Sequence, residues 1–148
     1  MFRNIAPLIF LLVSLKLSAQ NKVSISIKGK TTHLQCAQNA TYENINGKIN
    51  ISIICNDGKL LELNNINENE FKCGKKINSL SPKIVLIDEK NNQTWVSNSS
   101  INISVKCMGN AKEYQVIFSG SVKNNKQKMY LSSNLQVKSK PKKHLTIN

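Results

Sequence analysis

The stretch Ile101-Asn102-Ile103-Ser104-Val105-Lys106-Cys107 alternates apolar and polar residues without a break. Successive side chains of an extended chain point to opposite faces, so this pattern builds a strand with one buried and one wet face. The same period of two returns in Val23, Ile25 and Ile27, with Ser24, Ser26 and Lys28 between them. It returns in Ile49, Ile51 and Ile53, and again in Tyr114, Val116 and Phe118. Ile84-Val85-Leu86-Ile87 is apolar throughout, as a more central strand would be. Met129-Tyr130-Leu131 with Leu135 and Val137 supplies a last strand. Turn residues separate these runs: Asn56-Asp57-Gly58, Asn91-Asn92, Gly109-Asn110 and Asn124-Asn125. No long stretch carries apolar residues at spacings of three and four. The pattern predicts an all-β protein, an antiparallel β-sandwich of seven to eight short strands.

The chain has 148 residues, 40% of them hydrophobic and 20% charged. That suffices for one domain and is too apolar for a wholly disordered chain. Basic residues dominate, 21 Lys+Arg against 8 Asp+Glu, for a net charge of +13. An aromatic content of 5% argues against a base-stacking nucleic-acid platform. Residues 1–19 read as a secretory signal peptide. Arg3 gives the positive start, Ile5 to Leu15 the apolar run and Leu17-Ser18-Ala19 the cleavage site. The run is too short to anchor in a membrane. The expected organisation is a signal peptide at 1–19, a β-sandwich domain at 20–137 and a basic disordered tail at 138–148. The expected location is secreted and extracellular. No arginine follows Arg3, so the basic charge of the exported chain is all lysine.

Cys36, Cys55, Cys73 and Cys107 agree with export, since small exported domains commonly use disulfides. None sits in a C-x-x-C pair, which disfavours zinc and thioredoxin-like chemistry. Cys55 continues the Ile49/Ile51/Ile53 face and Cys107 the Ile101/Ile103/Val105 face. Cys36 shares parity with Leu34, and Cys73 with Phe71. All four thiols are therefore expected to point coreward near strand ends. Four cysteines permit three pairings that sequence does not decide, and the reading leans to Cys36–Cys73 and Cys55–Cys107. Five glycosylation sequons start at Asn39, Asn50, Asn92, Asn98 and Asn102. Part of that number is expected from an Asn- and Ser-rich composition alone. Parity puts Asn50 and Asn102 on wet faces, where a glycan can be carried.

Catalytic motifs are absent. The exported chain holds two histidines, His33 and His144, and no H-E-x-x-H, G-x-S-x-G or phosphate loop. Asp88-Glu89, the only adjacent carboxylates, read as a solvated turn at a strand end. His33 beside Thr31-Thr32 reads as a surface residue, so no metal site and no cofactor are implied. The expectation is a secreted binding or interaction protein and not an enzyme, with a small enzyme of unrecognised site as the alternative. The strongest positive signal is the basic tail, Lys138, Lys140, Lys142 and Lys143. Beyond Lys138 the chain is too charged to pack. Lys140-Pro141-Lys142-Lys143 resembles a short nuclear-import signal. This frames two readings besides a plain basic tail: an effector acting on a host protein or in a host nucleus, and a cation drawn to anionic glycans or membrane surfaces. Nucleic acid is not expected as a direct ligand. An immunoglobulin-like arrangement is disfavoured because Trp95 lies late, shortly before Cys107.

The order of landmarks resembles the nematode transthyretin-like family, secreted sandwiches of about this size. Ile27-Lys28-Gly29 and Leu34-Gln35-Cys36 are similar to that family's opening strand, glycine and leucine near cysteine. Ile49-Asn50-Ile51-Ser52-Ile53, Phe71-Lys72-Cys73-Gly74, Pro82-Lys83-Ile84-Val85-Leu86-Ile87 and Asn134-Leu135 follow in the family's order. The likeness covers most of 22–137 through short motifs. Asp88-Glu89 stand where the family carries a His and a Cys, and the cysteine pattern differs. The His and Arg set and the C-terminal Tyr-Arg-Gly-Ser of the related hydroxyisourate hydrolases are absent. The resemblance implies a prealbumin-like or other Greek-key sandwich without enzyme activity, exported and modulating a host.

Overall fold

A computed structural model describes residues 21–109 and 112–141. The expected signal peptide at 1–19, Lys142 and Lys143 lie outside these residues. The protein is all-β, with 11 strands where seven to eight are expected. They are β1 (Lys22–Ile27), β2 (Lys30–Gln35), β3 (Ala40–Ile45), β4 (Lys48–Cys55), β5 (Lys59–Asn67), β6 (Lys76–Ser79), β7 (Lys83–Asp88), β8 (Gln93–Ser97), β9 (Ile101–Cys107), β10 (Glu113–Lys123) and β11 (Lys128–Ser139). All belong to one continuous sheet, antiparallel except where β11 meets β3.

The pairing closes on itself. From β11 it runs through β3, β4, β5, β7, β8 and β10 back to β11. The β1–β2 hairpin flanks β11, and β9 with β6 flanks β10. The long β10–β11 hairpin organises this ring. Each of its strands gives its outer edge to two partners in turn. β10 pairs with β9 over Tyr114–Ser119 and with β8 at Val122 and Lys123. β11 pairs with β1 over Tyr130–Asn134 and with β3 over Val137–Ser139.

Both changes of partner have a local cause. In β10 it falls at Gly120, where a Cβ would stand 2.7 Å from Ile101 Cγ2 and 3.3 Å from Ile84 Cδ1. Glycine alone lets Ile101 lean over the backbone there. In β11 it falls at Gln136, whose N–H donates to the side-chain oxygen of Asn21 at 2.6 Å. The Asn21 amide also donates to the carbonyls of Ala37 and Gln38, so one buried asparagine replaces a missing strand partner.

The alternating runs face as expected. Ile101, Ile103 and Val105 are buried, as are Val23, Ile25, Ile49, Ile51, Ile53, Val116 and Phe118. Ile84 and Leu86 of β7 are buried, and β7 lies between β5 and β8 rather than at an edge. β5 breaks the period: Leu61 and Leu63 are buried, then Ile66. The register shifts opposite Ile49/Ile51, and Asn65, at φ 65°, gives its N–H to Asn50 Oδ1. That is a β-bulge, one extra residue that flips the parity of everything after it.

Three expectations are corrected. The disulfides join Cys36 to Cys55 and Cys73 to Cys107, not Cys36 to Cys73 and Cys55 to Cys107. Cys36 forms a bridge pair beside Cys55, and Gly74 N–H donates to Val105 O, so each cysteine meets the one its backbone already adjoins. Cys55 is buried and Cys36 half-buried, but Cys73 and Cys107 are exposed. The expectation that all four thiols point coreward therefore fails for these two: Cys73 lies in a turn and Cys107 ends β9 past the edge of the core. The expected domain boundary at 137 also moves. β11 continues to Ser139, Lys138 and Ser139 pair with Thr41 and Tyr42, and Lys140 N–H donates to Tyr42 O. The first residues assigned to the tail are strand.

Candidate functional site

The lysines gather where two turns meet. Val122 and Met129 are buried, so Lys123 and Lys128 point outward, and they are direct cross-strand partners. The turn between them is held by Asn124, whose Oδ1 accepts the N–H of Lys126 and of Gln127. The neighbouring β1–β2 turn is Lys28-Gly29-Lys30, with φ of 47° at Lys28 and 80° at Gly29. Ser26 pairs with Tyr130, so this turn ends beside Lys128. Lys28, Lys30, Lys123, Lys126 and Lys128 are all exposed, and neither turn contains a carboxylate. Like charges directly opposite on a sheet destabilise it, so the Lys123–Lys128 pair is costly by itself. The next outward row holds hydroxyls: Thr31, Ser26, Tyr130 and Ser121. Ser26 Oγ and Thr31 Oγ1 are 2.7 Å apart, and Tyr130 is 47% exposed.

The other end of the hairpin is also basic, but mixed. Lys72, Lys75, Lys76, Lys106 and Lys112 are exposed around the Cys73–Cys107 bridge. Carboxylates intervene there. Lys138 pairs with Glu113 at 3.3 Å and Lys140 with Glu43 at 3.2 Å. Two of the four expected tail lysines are thus tied to the domain. Beneath them Phe71, Tyr42 and Tyr114 pack edge-on or tilted, with centroids 4.8 to 5.7 Å apart. Burial, then the neighbouring Tyr114, push the Tyr42 phenol above its ordinary pKa.

Asp88 does not sit in a solvated turn. It is buried at the end of β7. Its carboxylate accepts the backbone N–H of Asn91 at 3.2 Å and the side-chain amide of Asn91 at 2.8 Å, and meets Lys59 at 3.4 Å. Hydrogen bonding from Asn91, with help from Lys59, holds its pKa below the ordinary carboxylate value. The group is an ionised turn anchor, tying the β7–β8 hairpin to β5. Glu89 beside it is exposed. His33 is exposed, with Nδ1 2.9 Å from Ser24 Oγ. Among the described residues no cluster of three His, Cys, Asp or Glu side chains suits a metal.

An open groove of about 350 Å³ runs along β1–β2 past Asn21, Val23, His33, Leu34 and Cys36. It gathers the His33 imidazole, the Lys22 ammonium, the Gln35 amide, the Asn21 amide already committed to three hydrogen bonds and a disulfide sulfur. The sequon asparagines are scattered. Asn92 and Asn98 are exposed in connections, and Asn102 is exposed in β9 beside Asn78, whose amide it accepts. Asn39 and Asn50 are half-buried. Sequence reasoning missed the lysine end because its members are up to a hundred residues apart. The only early signal was Lys28-Gly29-Lys30, a turn glycine between two lysines. Compared with known families, curated proteins and solved structures, the chain matches none.

Proposed function

We propose that the chain is an exported, non-enzymatic binding protein that docks on anionic partners through the lysine end of its sheet. The observation that carries this reading is the apposition of two carboxylate-free turns bearing Lys28, Lys30, Lys123, Lys126 and Lys128. Uncompensated lysines on one end raise the local anion concentration and speed association, with steep salt dependence. The disulfides suit an oxidising compartment, which supports export. A two-layer, prealbumin-like Greek-key packing of the ring, and kinship with the transthyretin-like family, belong to the same proposal. The approach of Ile84 in β7 to Gly120 in β10 supports the first, and the order of landmark motifs the second.

The test is binding of the oxidised protein to heparin, polyglutamate and phosphatidylserine vesicles at low salt. At least one should bind and release as salt rises. Exchange of Lys28, Lys123 and Lys128 for Gln should weaken binding more than exchange of Lys142 and Lys143. Binding to none of the three would sink the proposal.

A second reading keeps the host-effector role of the tail. It is favoured by Pro141, which is exposed, has no backbone N–H to give to a strand and directly precedes Lys142 and Lys143 in the chain. A fluorescent fusion lacking residues 1–19 should then collect in the nucleus and lose that location when Lys142 and Lys143 are replaced. Even distribution of both forms rejects it.

A further inference from the structure

Resting on the reading above, we infer that the lysine end is a binding site for a linear sulfated polysaccharide. The geometry of the charges selects a line rather than a point. Lys28, Lys128 and Lys123 share the outward face at the ends of three adjacent strands, β1, β11 and β10, while Lys30, opposite Ile27, starts β2 with the opposite parity. At about 4.8 Å per strand the row spans roughly 10 Å, a length matched by about two sugar units carrying repeated anions and not by one phosphate. Lys126 extends the row at the tip of the β10–β11 turn.

Charge chemistry narrows the ligand further. The site contains lysine only, and lysine presents a compact charge without the planar fork that favours phosphate and nucleic-acid recognition. Sulfate half-esters keep their charge at any physiological pH and need no directional pairing. The Lys123–Lys128 pair, unfavourable when empty, becomes favourable with an anion between its members.

The row behind the lysines fits the rest of a sugar. Thr31, Ser26, Tyr130 and Ser121 form a flat line of hydroxyls parallel to the charges, one outward position further along the strands. The half-exposed Tyr130 ring offers an apolar face for a pyranose and a phenol for its hydroxyls. A bilayer would use a larger apolar surface than Tyr130 and Val96 provide.

The experiment measures Kd for a heparin hexasaccharide, a polyglutamate of equal charge, a DNA oligonucleotide and phosphatidylserine vesicles, using oxidised protein at fixed ionic strength. The hexasaccharide should bind tightest. Tyr130→Ala should weaken it roughly three- to tenfold and leave its salt dependence unchanged, since an aromatic contact and not a charge is lost. Tyr130→Phe should keep part of that affinity. Lys123→Gln with Lys128→Gln should instead flatten the salt dependence. Equal affinity for polyglutamate with no effect of Tyr130→Ala would overturn the inference and leave an unspecific electrostatic binder. Preference for vesicles or DNA would overturn it in favour of those partners. Failure of every ligand to bind would remove the underlying reading as well. A thermal melt of each variant separates lost binding from lost fold.

Discussion

The two ends of the β10–β11 hairpin are both rich in lysine and do different work. At the open end, Lys138 and Lys140 meet Glu113 and Glu43, the Cys73–Cys107 bridge staples the β5–β6 connection to β9, and Phe71 plugs the interior against Tyr42 and Tyr114. At the turn end, lysine faces lysine, and the turn is held by the Asn124 side chain. Lysine with a carboxylate beside it helps close the fold. Lysine placed opposite lysine costs stability, a cost that the proposed anion binding would offset.

That contrast breaks first if the open end proves dispensable. Removing the exposed bridge with Cys73→Ser and Cys107→Ser should cost about 3–4 kcal/mol, because it closes a long loop in the unfolded chain. Urea unfolding should show a lower midpoint. Phe71→Ala should cost about 3 kcal/mol, the price of emptying a nearly buried aromatic site. Unfolding midpoints near the parent value in both variants would mean that the core closes without this end.

A pH titration sharpens the comparison without altering size. The Tyr42 phenol has a raised pKa in the folded protein, so folding favours its neutral form. Its contribution is complete below the ordinary tyrosine pKa of about 10 and is lost as pH rises through the folded value. Tyr42→Phe should therefore reduce the alkaline loss of stability, read as melting temperature against pH. Asp88 runs the other way: its lowered pKa stabilises the fold above the ordinary carboxylate range and that contribution fades as pH falls below about 4.

The smallest effect belongs to the turn end. Lys123→Glu replaces a repelling cross-strand pair with an attracting one and should raise stability by about 0.5 kcal/mol while weakening anion binding. Gain of stability with loss of binding is the outcome that separates the two ends. Loss of both would place Lys123 in the fold after all.

Six strands were legible, β1, β4, β7, β9, β10 and β11, each from an apolar run or alternation, which in β11 is interrupted at the buried Ser133. The other five lack one. β2 is exposed almost throughout, β6 has four residues, and β8 buries Trp95 and Ser97 alone. β5 alternates until the bulge at Asn64-Asn65 and then changes face. The turn Asn46-Gly47, with φ of 52° and 76°, joins β3 to β4 and is an Asn-Gly hairpin signal that the reading of the turns passed over. Asp88 was misread because a carboxylate before a turn is usually wet; here Lys59 from the neighbouring strand β5 and Asn91 from the turn itself lie over it.

The sequence by itself determined strand character, the inward and outward faces, the main turns and the excess of lysine. Those properties depend on neighbours one or two positions away, which the chain order shows directly. The tertiary structure decided which cysteines pair, where β11 ends, and that Lys28 stands beside Lys128 while Lys138 finds Glu113. Those depend on strand order and register, set by the packing of the whole ring, where one glycine at position 120 and one asparagine at position 21 choose the partners of the two longest strands.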